Sequence, residues 1–143
     1  MTFDLSPPLL AIYIPLVGAL LIALAGRWPN LREGITLATA GALLYNVLGI
    51  VPRLLAPGFW AMYAKSPPLR LIEVVPGVFL ELKVEPLGMI FALIASSLWI
   101  LNSLYSIGYM RGNAERNQTR FYVCFALAIA SVMGLAFAGN LFT

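Results

Sequence analysis

Four stretches of the chain run for about twenty positions almost without charge, and polar residues gather between them. A helix needs roughly 20 apolar residues to cross about 30 Å of hydrocarbon, so the pattern predicts membrane helices over residues 8–26, 34–51, 86–109 and 121–139. The first, PPLLAIYIPLVGALLIALAG, is too long for the core of a signal peptide, and the preceding MTFDLSPP supplies no basic segment, only Asp4. Pro15 lies inside it, which a membrane tolerates where neighbouring groups satisfy the freed carbonyl. The short connection RWPNLREG makes the first two helices an antiparallel pair. Pro52 predicts the end of the second helix, with Arg53 reaching back to the headgroups.

From residue 54 to 85 the pattern changes to a proline-rich, acidic loop outside the bilayer core. Within it VFLELKV alternates, placing Val78, Leu80, Leu82 and Val84 on one face and Glu81 and Lys83 on the other. With LRLIEVV ahead and Pro76–Gly77 between, a β-hairpin on the membrane surface is expected. Trp60 and Tyr63 have the amphipathic character of interfacial anchors. The fold class is therefore all-α integral membrane, with an extramembrane β-hairpin loop between the second and third helices.

Spacing within the runs says what each helix face meets. In the third, Ala92, Ser96, Trp99, Asn102, Ser103 and Ser106 share one broad face at about 100° per residue. That face suits packing on protein, or the polar lining of a water or ion path. Small residues recur every fourth position in the last run, at Ala126, Ala130, Gly134 and Ala138, and in the second at Gly34, Ala38 and Ala42. Such ridges let helix backbones approach closely, so these helices are expected to be embedded among others.

Composition narrows the chemistry. The chain is 61% hydrophobic and 10% charged, with a mean hydropathy of +0.89, against about a quarter charged in soluble domains. The +3 net charge comes from scattered Lys and Arg with no basic helix or aromatic strip, which excludes a nucleic-acid partner. Cys124, alone in an apolar run, cannot form an internal disulfide and reads as a small buried residue. Histidine is absent, and no CxxC, HExxH or phosphate loop occurs, so no catalytic, cofactor-binding or metal-ligating residue is assigned. The four runs contain no Asp, Glu, Lys or Arg either. Glu85, just ahead of Pro86, is the nearest acid; it suits stabilisation of a helix N-terminus or, alternatively, proton transfer.

Residues 82–143 carry a resemblance: the acidic-Pro-Leu-Gly start Glu85–Gly88, the segment SLYSIGYMRG and the NQTRFY entry to the last helix. Together they resemble the antiporter-like subunits shared by Mrp-type cation/proton antiporters and the membrane arms of respiratory complex I and related hydrogenases, in particular the Mrp D subunit. Earlier residues match only in layout, and Glu85 stands where many relatives have Asp. The resemblance implies the N-terminal part of a much larger subunit. Its proton path would begin at a glutamate early in a fifth helix, which would be starting at Asn140–Thr143. The implied function is that of a fragment of a proton-translocating subunit in a multisubunit Na⁺/proton antiporter of the inner or plasma membrane. Its implied partners are lipid, sister subunits, protons and a monovalent cation, with no redox cofactor in the subunit itself. Alternatives are a proton-pumping subunit of a complex I-like NADH-quinone oxidoreductase or membrane-bound hydrogenase, and a standalone four-helix structural or assembly protein.

The short connections carry Arg27, Arg32, Arg111, Arg116 and Arg120, whereas Arg53, Lys65, Arg70 and Lys83 are spread along the long loop. The positive-inside rule therefore places the short connections in the cytoplasm, with the N-terminus and hairpin outside. Cysteines introduced at Lys65 and Asn113 test this: an impermeant thiol reagent should label the first in intact cells and miss the second, and the reverse would invert the topology.

Overall fold

The computed structural model describes residues 6–58, 69–75 and 77–140. The expectations placed on Asp4, Trp60, Tyr63, Lys65 and Pro76, and on the side chain of Arg53, lie outside the described residues. Helix α1 (Ser6–Leu24) ends in a 3₁₀ turn (Ala25–Arg27) and is followed by α2 (Pro29–Leu55), strands β1 (Leu69–Val75) and β2 (Val78–Leu82), α3 (Pro86–Gly112) and α4 (Gln118–Ala136). All four α-helices among the described residues are long and apolar enough to cross a membrane. The chain is a multi-pass membrane protein.

The helix bounds shift from the sequence expectation by two or three residues in α1, α3 and α4, and the largest departures are the two ends of α2. α2 begins at Pro29, not at Gly34, because proline at a first helical position lacks only an amide that would have had no partner. Trp28, extended at φ −115° and ψ 97°, makes the whole corner, and its carbonyl accepts the Arg32 amide at 2.9 Å. The segment LREG, expected in a loop, is helical. At its other end α2 continues through Pro52 to Leu55, since losing one backbone bond near a helix end is tolerated. Between α3 and α4 the chain turns through Ala114 and Asn117, both with positive φ, at 50° and 59°.

α1 packs against α2 and α4, α2 packs against α3, and α3 meets α4 more lightly. Leu43, Val47, Met89, Trp99, Met133 and Phe137 lie in the shared core. The expected face of α3 turns inward, with Ala92, Ser96, Trp99, Ser103 and Ser106 buried and Asn102 half-buried. Ser96 gives its hydroxyl proton to the Ala92 carbonyl at 2.7 Å, so its polarity is satisfied within the helix. In α4, Ala126 and Ala130 are buried, but in α2 Gly34, Ala38 and Ala42 are exposed. Ala38 and Ala42 border an open groove between α1 and α2 instead of packing closely there. Cys124, read as buried, is exposed on the outer face of α4, where an apolar surroundings would cost a thiol nothing.

The hairpin forms as the alternation predicts, pairing Arg70 with Glu81 and Val75 with Val78, with two register irregularities. Gly77 takes φ 88° in the turn and donates its amide to Glu73 Oε1 at 2.9 Å. β2 also joins the end of α4. Lys83 donates its amide to the Phe137 carbonyl at 2.8 Å, Gly139 to the Glu81 carbonyl at 2.6 Å, and Asn140 Nδ2 to the Phe79 carbonyl at 2.7 Å. Nearby, α3 starts so close to the end of α4 that a Cβ on Gly88 would lie 1.9 Å from the Ala136 carbonyl oxygen.

Gly88→Ala should therefore destabilise the protein by more than about 2 kcal/mol, because the obstacle is backbone. Gly134→Ala meets nothing within 4 Å and should gain up to about 1 kcal/mol of helix stability. Thermal unfolding in detergent should rank the two in that order; equal effects would remove the close contact.

Candidate functional site

The early start of α2 and the late end of α3 draw charged residues into the bundle at the end away from the hairpin. Glu33, its side chain 8% exposed, receives Arg111 through two bonds, Nη2 to Oε2 at 2.6 Å and Nε to Oε1 at 3.1 Å. This fork suits a guanidinium facing a carboxylate and fixes both planes. Arg32, 5% exposed, lies beside it with Nη2 at 3.5 Å from Glu33 Oε1. The same nitrogen donates to Gln118 Oε1 at 2.7 Å, and Nη1 to Thr119 Oγ1 at 3.1 Å. The Arg32 guanidinium also sits 5.3 Å from the centre of the Tyr122 ring. Arg111 further donates to Asn30 Oδ1.

Backbone groups complete the network. Gln118 Nε2 donates to the carbonyls of Met110 at 3.2 Å and Glu115 at 3.1 Å, and Thr119 Oγ1 to that of Gly26 at 3.4 Å. Five pieces of chain are thus tied at one point: the 3₁₀ turn, the start of α2, the end of α3, the connecting turn and the start of α4. Burying a charge is costly unless it is paired and hydrogen-bonded, and both conditions are met for Glu33. Two buried atoms, Arg32 Nε and Tyr122 Oη, have no partner among the described residues.

Chemically the cluster holds charge in place. A guanidinium does not release its proton under ordinary conditions, and both Glu33 oxygens are engaged by arginine, so the geometry is that of a clamp. Among the described residues no group of three or more His, Cys, Asp or Glu could hold a metal ion. Glu85 lies at the opposite end, half-exposed, with Lys83 Nζ 3.6 Å away. It caps the start of α3 in an extended conformation, where its carbonyl accepts the Met89 amide at 2.8 Å and its side chain makes no capping hydrogen bond. Asn102 borders a cleft between α3 and α4 that is lined also by Ala95, Trp99, Phe125 and Ile129.

Arg32 and Glu33 are the residues that sequence reasoning assigned to a connection. A signal was present. The buried positions of α2, Leu43, Ala40 or Thr39, and Thr36, step back three or four residues at a time, and the next step is Arg32.

No family model matches the sequence, and no solved structure matches it. The chain is similar to NADH-quinone oxidoreductase subunit N of Desulforudis audaxviator (strain MP104C), 26% identical over 137 residues. The match covers 94% of this chain and 26% of the relative, so the chain spans about a quarter of the length of the curated relative it matches. This likeness supports the complex I-like side of the resemblance; it does not single out the Mrp D subunit. It also extends ahead of residue 82, where the resemblance is one of layout alone. The SLYSIGYMRG and NQTRFY segments supply Arg111, Gln118, Thr119 and Tyr122, and the fold brings them onto Arg32 and Glu33.

Glu33→Gln leaves Arg32 buried without its counter-charge and should cost about 3 kcal/mol. Adding Arg32→Met to that variant removes the stranded charge and should recover most of the loss. Unfolding of both variants in the same detergent checks the pair; a double variant no more stable than the single one would show that Arg32 is held by its other partners.

Proposed function

We propose that the chain is a four-helix portion of a proton-translocating membrane-arm subunit in a complex I-like NADH-quinone oxidoreductase. The observation that carries this reading is the similarity to subunit N along nearly the whole of the chain. The architecture agrees with a supporting part within such a subunit. Proton carriers in membranes are ionisable groups kept inside the spans, facing the bundle interior or a water-filled cavity. Here the charged groups of the described helices gather at their ends, and the buried ones are locked together by arginine. The four helices would form a rigid wall, with the titrating groups supplied by other helices of the same subunit.

A second reading, a subunit of an Mrp-type Na⁺/proton antiporter, is favoured by the acidic-Pro-Leu-Gly, SLYSIGYMRG and NQTRFY motifs. In either setting the subunit would work in the cell membrane beside sister subunits and carry no redox cofactor.

Affinity isolation of the tagged protein from its own membranes separates these readings. Co-elution with NADH-dependent quinone reduction is expected; co-elution with Na⁺-dependent proton exchange and no quinone reduction would favour the antiporter. Elution with neither activity would sink both. Proteoliposomes holding only these residues should show no more proton flux than empty ones.

A further inference from the structure

The chain holds nine Lys and Arg against six Asp and Glu, a net charge of +3. Arg27, Arg32, Arg111, Arg116 and Arg120, with Glu33 and Glu115, fall at the clamp end, while Arg70, Lys83, Glu73, Glu81 and Glu85 fall towards the hairpin end. The clamp end thus carries five cations against two acids. Glu33 is consumed by Arg32 and Arg111. Arg27, Arg116 and Arg120 are exposed, and their side chains make no ion pair or hydrogen bond among the described residues.

Two of these arginines flank a contact between α1's end and α4. Thr119 and Gly26 touch where α4 meets the end of α1, with Thr119 Oγ1 3.4 Å from the Gly26 carbonyl, and Arg27 and Arg120 each follow one member of that contact. Arg32 lies behind it, bonded to Thr119. Trp28, 62% exposed, and Tyr109, 51% exposed, belong to the same end and have the character of headgroup-level anchors.

The same seam continues into the membrane. Ile12 and Leu16 of α1 face Leu127, Ala130 and Gly134 of α4 across an open, mainly apolar groove of about 570 Å³. Helical rise puts Leu127 about 12 Å below Thr119. One leaflet's acyl chains occupy about 15 Å, half the hydrocarbon thickness, so a chain anchored at the arginines reaches the groove.

We propose that the α1–α4 seam is a binding site for an anionic phospholipid, its phosphate between Arg27 and Arg120 and one acyl chain in the groove. Neither the redox nor the antiporter reading is needed for it. Each arginine near an anionic headgroup should contribute roughly fivefold in affinity at low salt. Zwitterionic lipid, whose phosphate is already paired with choline, gains much less.

The test is native mass spectrometry of the whole chain, solubilised in a zwitterionic detergent and supplied with phosphatidylglycerol or phosphatidylcholine at equal concentration. Preferential retention of phosphatidylglycerol is expected, reduced at least tenfold in Arg27→Gln/Arg120→Gln and unchanged in Arg70→Gln at the hairpin end. Gly134→Leu, which fills the groove without altering charge, should also weaken retention, and circular dichroism confirms that each variant is folded. Equal retention of the two lipids would overturn the proposal and leave the arginines to an acidic protein partner. So would a preference that survives the double variant, or one lost equally in Arg70→Gln.

Discussion

The carboxylate of Glu33 has to be held by arginine, and that requirement organises one end of the protein. An acid brought inside a bundle is unaffordable alone, so α2 can start where it does only if Arg111 arrives from the end of α3. Arg111 arrives only because α3 runs on to Gly112. Arg32, buried alongside, needs acceptors from α4, and Gln118 and Thr119 stand in its first turn. The lengths of three helices are thus coupled through a single side chain.

The other end is closed by backbone groups. The hairpin exchanges amides and carbonyls with residues 137–139, and Gly88 lets α3 press against the last turn of α4. Between these closures the middle of the α3–α4 contact is loose, bordered by Asn102 and Trp99. α1 fills a different role. It is almost wholly apolar and packs against both α2 and α4, so it holds together helices whose ends are already positioned by polar contacts.

The spans were legible in the sequence because the apolar runs match a bilayer's thickness, and the hairpin because VFLELKV alternates around a Pro-Gly turn. The inward face of α3 was legible from the spacing of Ser96, Trp99 and Ser103. The clamp was not, because charged residues between two apolar runs look like a solvated connection unless the buried stripe of α2 is followed back past Gly34. Small residues were only half informative. Their spacing showed that Ala126 and Ala130 could pack, which they do, yet it could not distinguish that ridge from Gly34, Ala38 and Ala42, which stay exposed. Spacing defines a face, and only the arrangement of neighbours decides what the face meets.

The joining of β2 to the end of α4 has a mechanical consequence. A hairpin attached only through its own connecting loops could swing as a flap while the helices below stayed still. Here its second strand is bonded on one side to β1 and on the other to residues 137–139, and Asn140 reaches back to the Phe79 carbonyl. Force applied to the surface hairpin would pass directly to the foot of α4 and, through the Gly88 contact, to the head of α3. The loop works as a handle on two helices rather than as a cover over them.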